Sequence, residues 1–153
     1  MIRFYLAGSI QFTESYMDWR IDMTKFLEAN GFGAYNPLTK YSGKSEQYKD
    51  RVKKFLAANQ IDLCRNFTRT IIIAPDYNYI DKSDGLIVYI KKEDRVFGTI
   101  AEMSYAYRTG KPIFLVTDIP VIEYSAWMVG MSTKIFRNFT ELKRYLKKAL
   151  VMR

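Results

Sequence analysis

The chain has 153 residues, 48% of them hydrophobic, with 24 Lys and Arg against 16 Asp and Glu, one cysteine and no histidine. That length suits a single domain with one sizeable core. The lack of imidazole excludes Ser-His-Asp and Cys-His catalysis and leaves a zinc site without its usual donors. Acid–base chemistry must therefore come from carboxylates, tyrosines or lysines. The net charge of +8 fits either a plain basic surface or attraction of polyanions and phosphorylated small molecules.

Residues 2–7, Ile-Arg-Phe-Tyr-Leu-Ala, read as a first strand, too short an apolar run for a signal peptide. Nothing approaches the roughly 18–20 apolar residues of a membrane span, and the lone Cys64 fits a reducing compartment. A soluble, cytoplasmic protein is the expectation. A helix follows over 13–29, with Trp19, Met23, Phe26 and Leu27 at core-facing spacing and Asn30-Gly31 as its stop. A short strand at 33–35 ends before Asn36-Pro37, and the polar stretch 38–45 suits a flap or an ordinary long loop. Residues 46–58 read as helix. The stretch 61–74 is ambiguous, because its β-branched run at 68–73 suits a strand; irregular or helical structure is the reading we favour. Pro75 then opens a helix over 75–83.

Residues 86–90, Leu-Ile-Val-Tyr-Ile, form the clearest central strand. The next helix spans 98–109, closed by Gly110 with Pro112 beyond it. A buried strand at 113–116, a helical segment at 124–128 and a last strand at 134–136 complete the alternation. Asn138 caps the final helix with Glu141 as capping-box partner, and Leu142, Tyr145, Leu146 and Leu150 make its core stripe. The pattern predicts a single-domain α/β fold: a doubly wound, flavodoxin- or Rossmann-like, mostly parallel five-stranded sheet with helices on both faces. Ligands of such sheets bind beyond the carboxyl ends of the strands. That singles out residues 8–12, 91–98 and the turn after Val116.

Three segments carry candidate chemistry: Tyr5-Leu6-Ala7-Gly8-Ser9-Ile10, Asp76 with Asp84 eight residues on, and Gly98-Thr99-Ile100-Ala101-Glu102. Singly, each has a plain reading. Tyr5 would be a core aromatic, and Asp76 and Glu102 would be favourable charges in first helical turns. Together, in this order and spacing, they resemble the nucleoside 2-deoxyribosyltransferase superfamily, which includes the nucleoside 5′-monophosphate N-glycosidases. The resemblance runs from about residue 2 to residue 146. It implies a retaining two-step reaction in which Glu102 is the nucleophile, Asp76 moves the proton and Tyr5 positions Glu102. Such chemistry needs no metal and no organic cofactor.

The resemblance also implies substrate contacts at Gly8, Ser9 and Gly98, and base contacts at Gln11 and Phe12, although Phe12 would equally suit the core face of the first helix. Ser125 falls in a segment that reaches into a neighbouring subunit's site, implying a homo-oligomer, and matches a phosphate-binding serine of the hydrolases. One position departs from the pattern. Val96, six residues before Glu102, stands where transferases place an aspartate and hydrolases a serine. Asp94 would suit a free 5′-hydroxyl there and Arg95 a phosphate. Base exchange on deoxynucleosides is the leading reading, with release of the base from a nucleoside monophosphate close behind. The partners implied are a nucleoside or nucleotide and a free nucleobase. A non-catalytic nucleotide-binding module and a nucleic-acid-binding domain are the alternatives from other classes; the second lacks any basic-aromatic motif.

Overall fold

The computed structural model describes residues 1–11, 16–38 and 45–151. Strands and helices alternate as β1 (Arg3–Gly8), α1 (Asp18–Ala29), β2 (Gly33–Tyr35), α2 (Ser45–Ala57), α3 (Ile61–Thr68), α4 (Ala74–Lys82), β3 (Gly85–Ile90), α5 (Phe97–Arg108), β4 (Ile113–Thr117), α6 (Ala126–Met131), β5 (Lys134–Phe136) and α7 (Phe139–Val151). The strands lie in the order β2-β1-β3-β4-β5, and all four pairings are parallel. The sheet is thus wholly parallel, where the sequence pattern asked only for mostly parallel.

Side chains alternate across a strand, and that parity builds both faces. Phe4 and Leu6 join Ile87, Phe114 and Val116 under α1 and α7, beside Met23, Leu27, Leu142 and Leu146. Tyr5 and Ala7 go to the opposite face with Leu86, Val88, Ile113 and Leu115, under Ile80, Met103 and Met128 of α4, α5 and α6. The 0% exposure of Tyr5 follows from this parity.

Several boundaries differ from expectation for local reasons. Helix α1 begins at Asp18, not Thr13, after a turn at Tyr16 and Met17; residues 12–15 lie outside those described. The Gly31 stop works as expected. It takes φ +75°, and the Phe32 N–H donates back to the Leu27 carbonyl at 2.9 Å. The candidate flap falls largely on residues 39–44, also outside those described. The ambiguous stretch is helical throughout, and Pro75 sits inside a continuous helical run rather than at its start. α3 passes through a π-helical turn, Arg69–Ile73, into α4, with the Ala74 N–H reaching back to the Arg69 carbonyl. A proline has no N–H and crowds the carbonyl four residues back. A wide turn just ahead of it accommodates that defect. The helix expected over 124–128 begins two residues later, as α6, and runs to Met131; a 3₁₀ turn, Val121–Glu123, precedes it, with Tyr124 and Ser125 extended between them.

The Asn138 cap is present: its Oδ1 accepts the Glu141 N–H at 2.9 Å, while the Glu141 carboxylate reaches the Arg137 N–H at 2.9 Å. Leu142 and Leu146 are buried and Tyr145 packs beside them; the Leu150 side chain is outside those described. Asn138→Ala is expected to cost about 1 kcal/mol, read as a lower urea midpoint with unchanged slope.

Candidate active site

The end of β1 with the turn after it, the loop after β3 and the start of α5 border a cavity of about 320 Å³. Strand parity sends the Tyr5 ring toward α4 and α5. Helix α5 buries Thr99, Met103 and Ala106 against the sheet, which leaves Glu102 on the flank of that stripe, next to β1. The Tyr5 hydroxyl donates to Glu102 Oε1 at 2.6 Å across 97 residues of chain. Asp76, only 8% exposed, enters the same cavity from the first turn of α4, directly after the π-helical turn. Burial, then the Glu102 and Asp76 charges, push the Tyr5 phenol well above its ordinary value. The ring therefore stays protonated and remains a donor.

Gly8, Ser9, Gln11, Arg95 and Gly98 also line the cavity. The Ser9 hydroxyl donates to the Arg95 carbonyl at 3.2 Å, tying the turn after β1 to the loop after β3. Two expected residues do not join this group, and a third cannot be placed. Asp94 is absent from the lining; its carboxylate accepts the Lys91 N–H at 3.1 Å and closes a turn. Ser125 is exposed on the approach to α6 and does not line the cavity of its own chain. Phe12 lies outside the described residues. Asp84, the spacing partner of Asp76, belongs to the far end of the sheet. It accepts the Arg3 N–H at 2.7 Å and returns its own N–H to the Arg3 carbonyl at 2.7 Å. Val96 packs against the core and offers no polar group.

Other residues enter that local sequence features did not announce. Tyr48, Lys49 and Val52 present one face of α2 to the cavity, and Ile72 adds apolar wall, as does Phe97 from the 91–98 segment already singled out. α2 is predominantly polar, and only its path past the end of β1 brings that face inward. Behind the cavity floor lies Arg20, fully buried on α1. Its Nη2 donates to the Gly8 carbonyl at 2.7 Å, Nη1 to the Tyr16 carbonyl at 2.6 Å and Nε to the Leu6 carbonyl at 3.3 Å. A signal for Arg20 did exist. It lies three and seven residues before Met23 and Leu27, so a charged side chain occupies the core stripe of that helix.

A paired tyrosine and glutamate facing a second carboxylate across a small cavity can hold a sugar carbon between a nucleophile and a proton donor. Known proteins share both the scaffold and its sequence pattern. The fold resembles that of the 2-deoxyribosyltransferase of Bacillus psychrosaccharolyticus, with TM-score 0.62 and 18% identity over 92% of this chain and 90% of that one. It also resembles the CMP N-glycosidase BcmB of Clostridium botulinum, with TM-score 0.53 and 18% identity over 95% of this chain and 98% of that one. At such identity these likenesses speak for the fold alone. No curated protein matches the chain in sequence. The nucleoside 2-deoxyribosyltransferase profile, however, matches residues 4–131, from the first strand to the last turn of α6. Since that span includes every residue lining the cavity, and covers most of the chain, the protein belongs to the nucleoside 2-deoxyribosyltransferase family.

Proposed function

We propose that this protein breaks the N-glycosidic bond of a nucleoside or nucleoside 5′-monophosphate through a covalent glycosyl–Glu102 intermediate. The observation that carries this reading is the 2.6 Å Tyr5–Glu102 hydrogen bond within the cavity that also holds Asp76. A phenol donating to one carboxylate oxygen fixes the orientation of the whole group. In the first step a Glu102 oxygen bonds to C1′ as the C1′–N bond breaks. The electron pair leaves with the base, and Asp76 supplies the proton that base requires. In the second step a water or another base attacks C1′, Asp76 takes the incoming proton, and the ester to Glu102 breaks. Both steps pass through oxocarbenium-like states that a carboxylate stabilises.

Base exchange and hydrolysis share the first step. One observation favours the phosphorylated substrate, and with it the N-glycosidase over the transferase. Of the two groups placed to serve the 5′-end, Asp94 spends its carboxylate on a turn while Arg95 lines the cavity, as does Lys49. Two cations beside the sugar site suit a phosphate. Incubation with deoxynucleosides and with their 5′-monophosphates, with and without an acceptor base, tests this by the base released. Release from monophosphates is expected without an acceptor. Arg95→Gln should raise their KM about ten- to hundredfold, the loss of a charged hydrogen bond, and leave unphosphorylated substrates unchanged. Exchange confined to free deoxynucleosides would restore the transferase reading.

The proposed working form is a homo-oligomer with sites completed across copies. Ser125 stands beside Ile122 and Trp127, which are 93% and 73% exposed, and Phe97 at the cavity rim is 81% exposed. Large apolar side chains left in water around Ser125 and at the cavity rim support a covering partner. Among the described residues, no helix is long and apolar enough to cross a membrane.

A further inference from the structure

Helix α2 grips α3 through aromatic contacts. The rings of Tyr48 and Phe55 pack on Phe67 with centroids 5.8 and 5.9 Å apart, and the Arg51 guanidinium carbon lies 5.0 Å from the centre of the same ring. A different set of contacts joins α2 to Tyr16, just ahead of α1 and only 1% exposed. The Tyr16 hydroxyl donates to Glu46 Oε1, and its ring lies 5.0 Å from the Lys49 ammonium. Residues three apart share a helix face, so one buried side chain meets a single edge of α2 twice. Tyr16 is itself fixed. Its carbonyl accepts from Arg20 Nη1 at 2.6 Å, and Arg20 Nη2 donates to the Gly8 carbonyl at 2.7 Å. Gly8 on the cavity floor and Lys49 on its wall are therefore joined through two fully buried side chains.

Lys49 needs such a fixture. It lines the sugar cavity and also a second cleft, which runs along Glu46, Asp50 and Lys53 of the same helix. A lysine is a point charge on a flexible arm, and this one has open space on either hand. We propose that Tyr16 is a positioning residue: through Glu46 and the Lys49 ammonium it clamps α2 to the turn after β1 and aims Lys49 at the 5′-phosphate of the substrate. The phenol serves both contacts, as an O–H donor to the carboxylate and as a π-face to the cation. A phenylalanine would keep the second contact and lose the first. The aim on phosphate rests on the reading of the substrate as a nucleoside 5′-monophosphate; the clamp does not.

Tyr16→Phe is expected to raise KM for a deoxynucleoside 5′-monophosphate about three- to tenfold, the range of one hydrogen bond. Its kcat should stay within about twofold, because Tyr5, Asp76 and Glu102 stand on β1, α4 and α5. Lys49→Met should raise KM as well, and adding Tyr16→Phe to it should change KM no further, since Tyr16 acts through Lys49. An equal second increase in the double variant, or an unmoved KM in Lys49→Met, overturns the positioning role. Hydrogen–deuterium exchange of the free protein reads the clamp without turnover. Amides of residues 48–57 should exchange faster in Tyr16→Phe while those of α5 keep their rate. Unchanged exchange in α2, or a uniform rise across the chain, overturns the clamp. Should Tyr16→Phe fail to fold, Glu46→Ala removes the acceptor from an exposed position and carries the same exchange test. Faster exchange confined to α2, with no monophosphate cleaved, would remove the proposed function and leave the clamp standing.

Discussion

Glu102→Gln is expected to lower kcat for base release by roughly four orders of magnitude, about 5.5 kcal/mol of transition-state stabilisation. The substitution is nearly isosteric, and the glutamine carbonyl can still accept from Tyr5, so the 2.6 Å contact that organises the site has a substitute. Met103 and Thr99, which anchor α5 on the sheet, are untouched. Folding should therefore survive, and the loss can be assigned to chemistry. An amide oxygen is a poor nucleophile and provides no negative charge to an oxocarbenium ion, so both halves of the reaction fail together. A 2-fluoro sugar analogue, which slows breakdown of the intermediate, should leave a sugar mass on the wild-type peptide bearing Glu102 and none on the variant. An adduct on another residue, or full activity in the variant, would remove Glu102 from its role. Unchanged nucleotide binding by a variant whose parent shows no turnover would instead favour a non-catalytic module.

Asp76→Asn should show the next largest effect, a loss of about a hundred- to ten-thousandfold, the range spanned by a single general acid–base group. Its signature is dependence on the leaving group. A natural purine or pyrimidine departs poorly without a proton, so such substrates should suffer most, whereas a base that leaves readily as an anion should be cleaved at a rate much closer to wild type. Equal losses for both kinds of substrate would mean that Asp76 shapes the cavity without carrying the proton. Position supports the first outcome: the π-helical turn directly before α4 sets the angle at which Asp76 enters, and its side chain is buried against the same space as Glu102. The turn itself traces to Pro75, one residue earlier, whose missing N–H forbids a regular helix there.

Pro75 illustrates how local rules succeed and where they stop. Its effect on the backbone is dictated by its ring, yet the β-branched residues before it read equally as strand or helix. Only packing of α3, the π-helical turn and α4 as one run decides between them. Asp94 shows the same limit. Next to Arg95 it had an equal claim on the substrate's 5′-end, and a backbone hydrogen bond to Lys91, invisible in composition, gave it other work.

From the sequence came the first strand with Tyr5 as a core aromatic, the glycine stops after α1 and α5, the cap at Asn138 and, through the family resemblance, the grouping of Tyr5, Asp76 and Glu102. Each depends on chemistry within a few residues, or on a pattern spaced along one chain, and so needs no knowledge of distant neighbours. Tertiary structure alone decided that α2 walls the cavity with Tyr48 and Lys49, that Arg95 and not Asp94 faces it, and that Arg20 lies charged and buried behind Gly8. Those choices follow from where crossovers carry remote segments over the sheet.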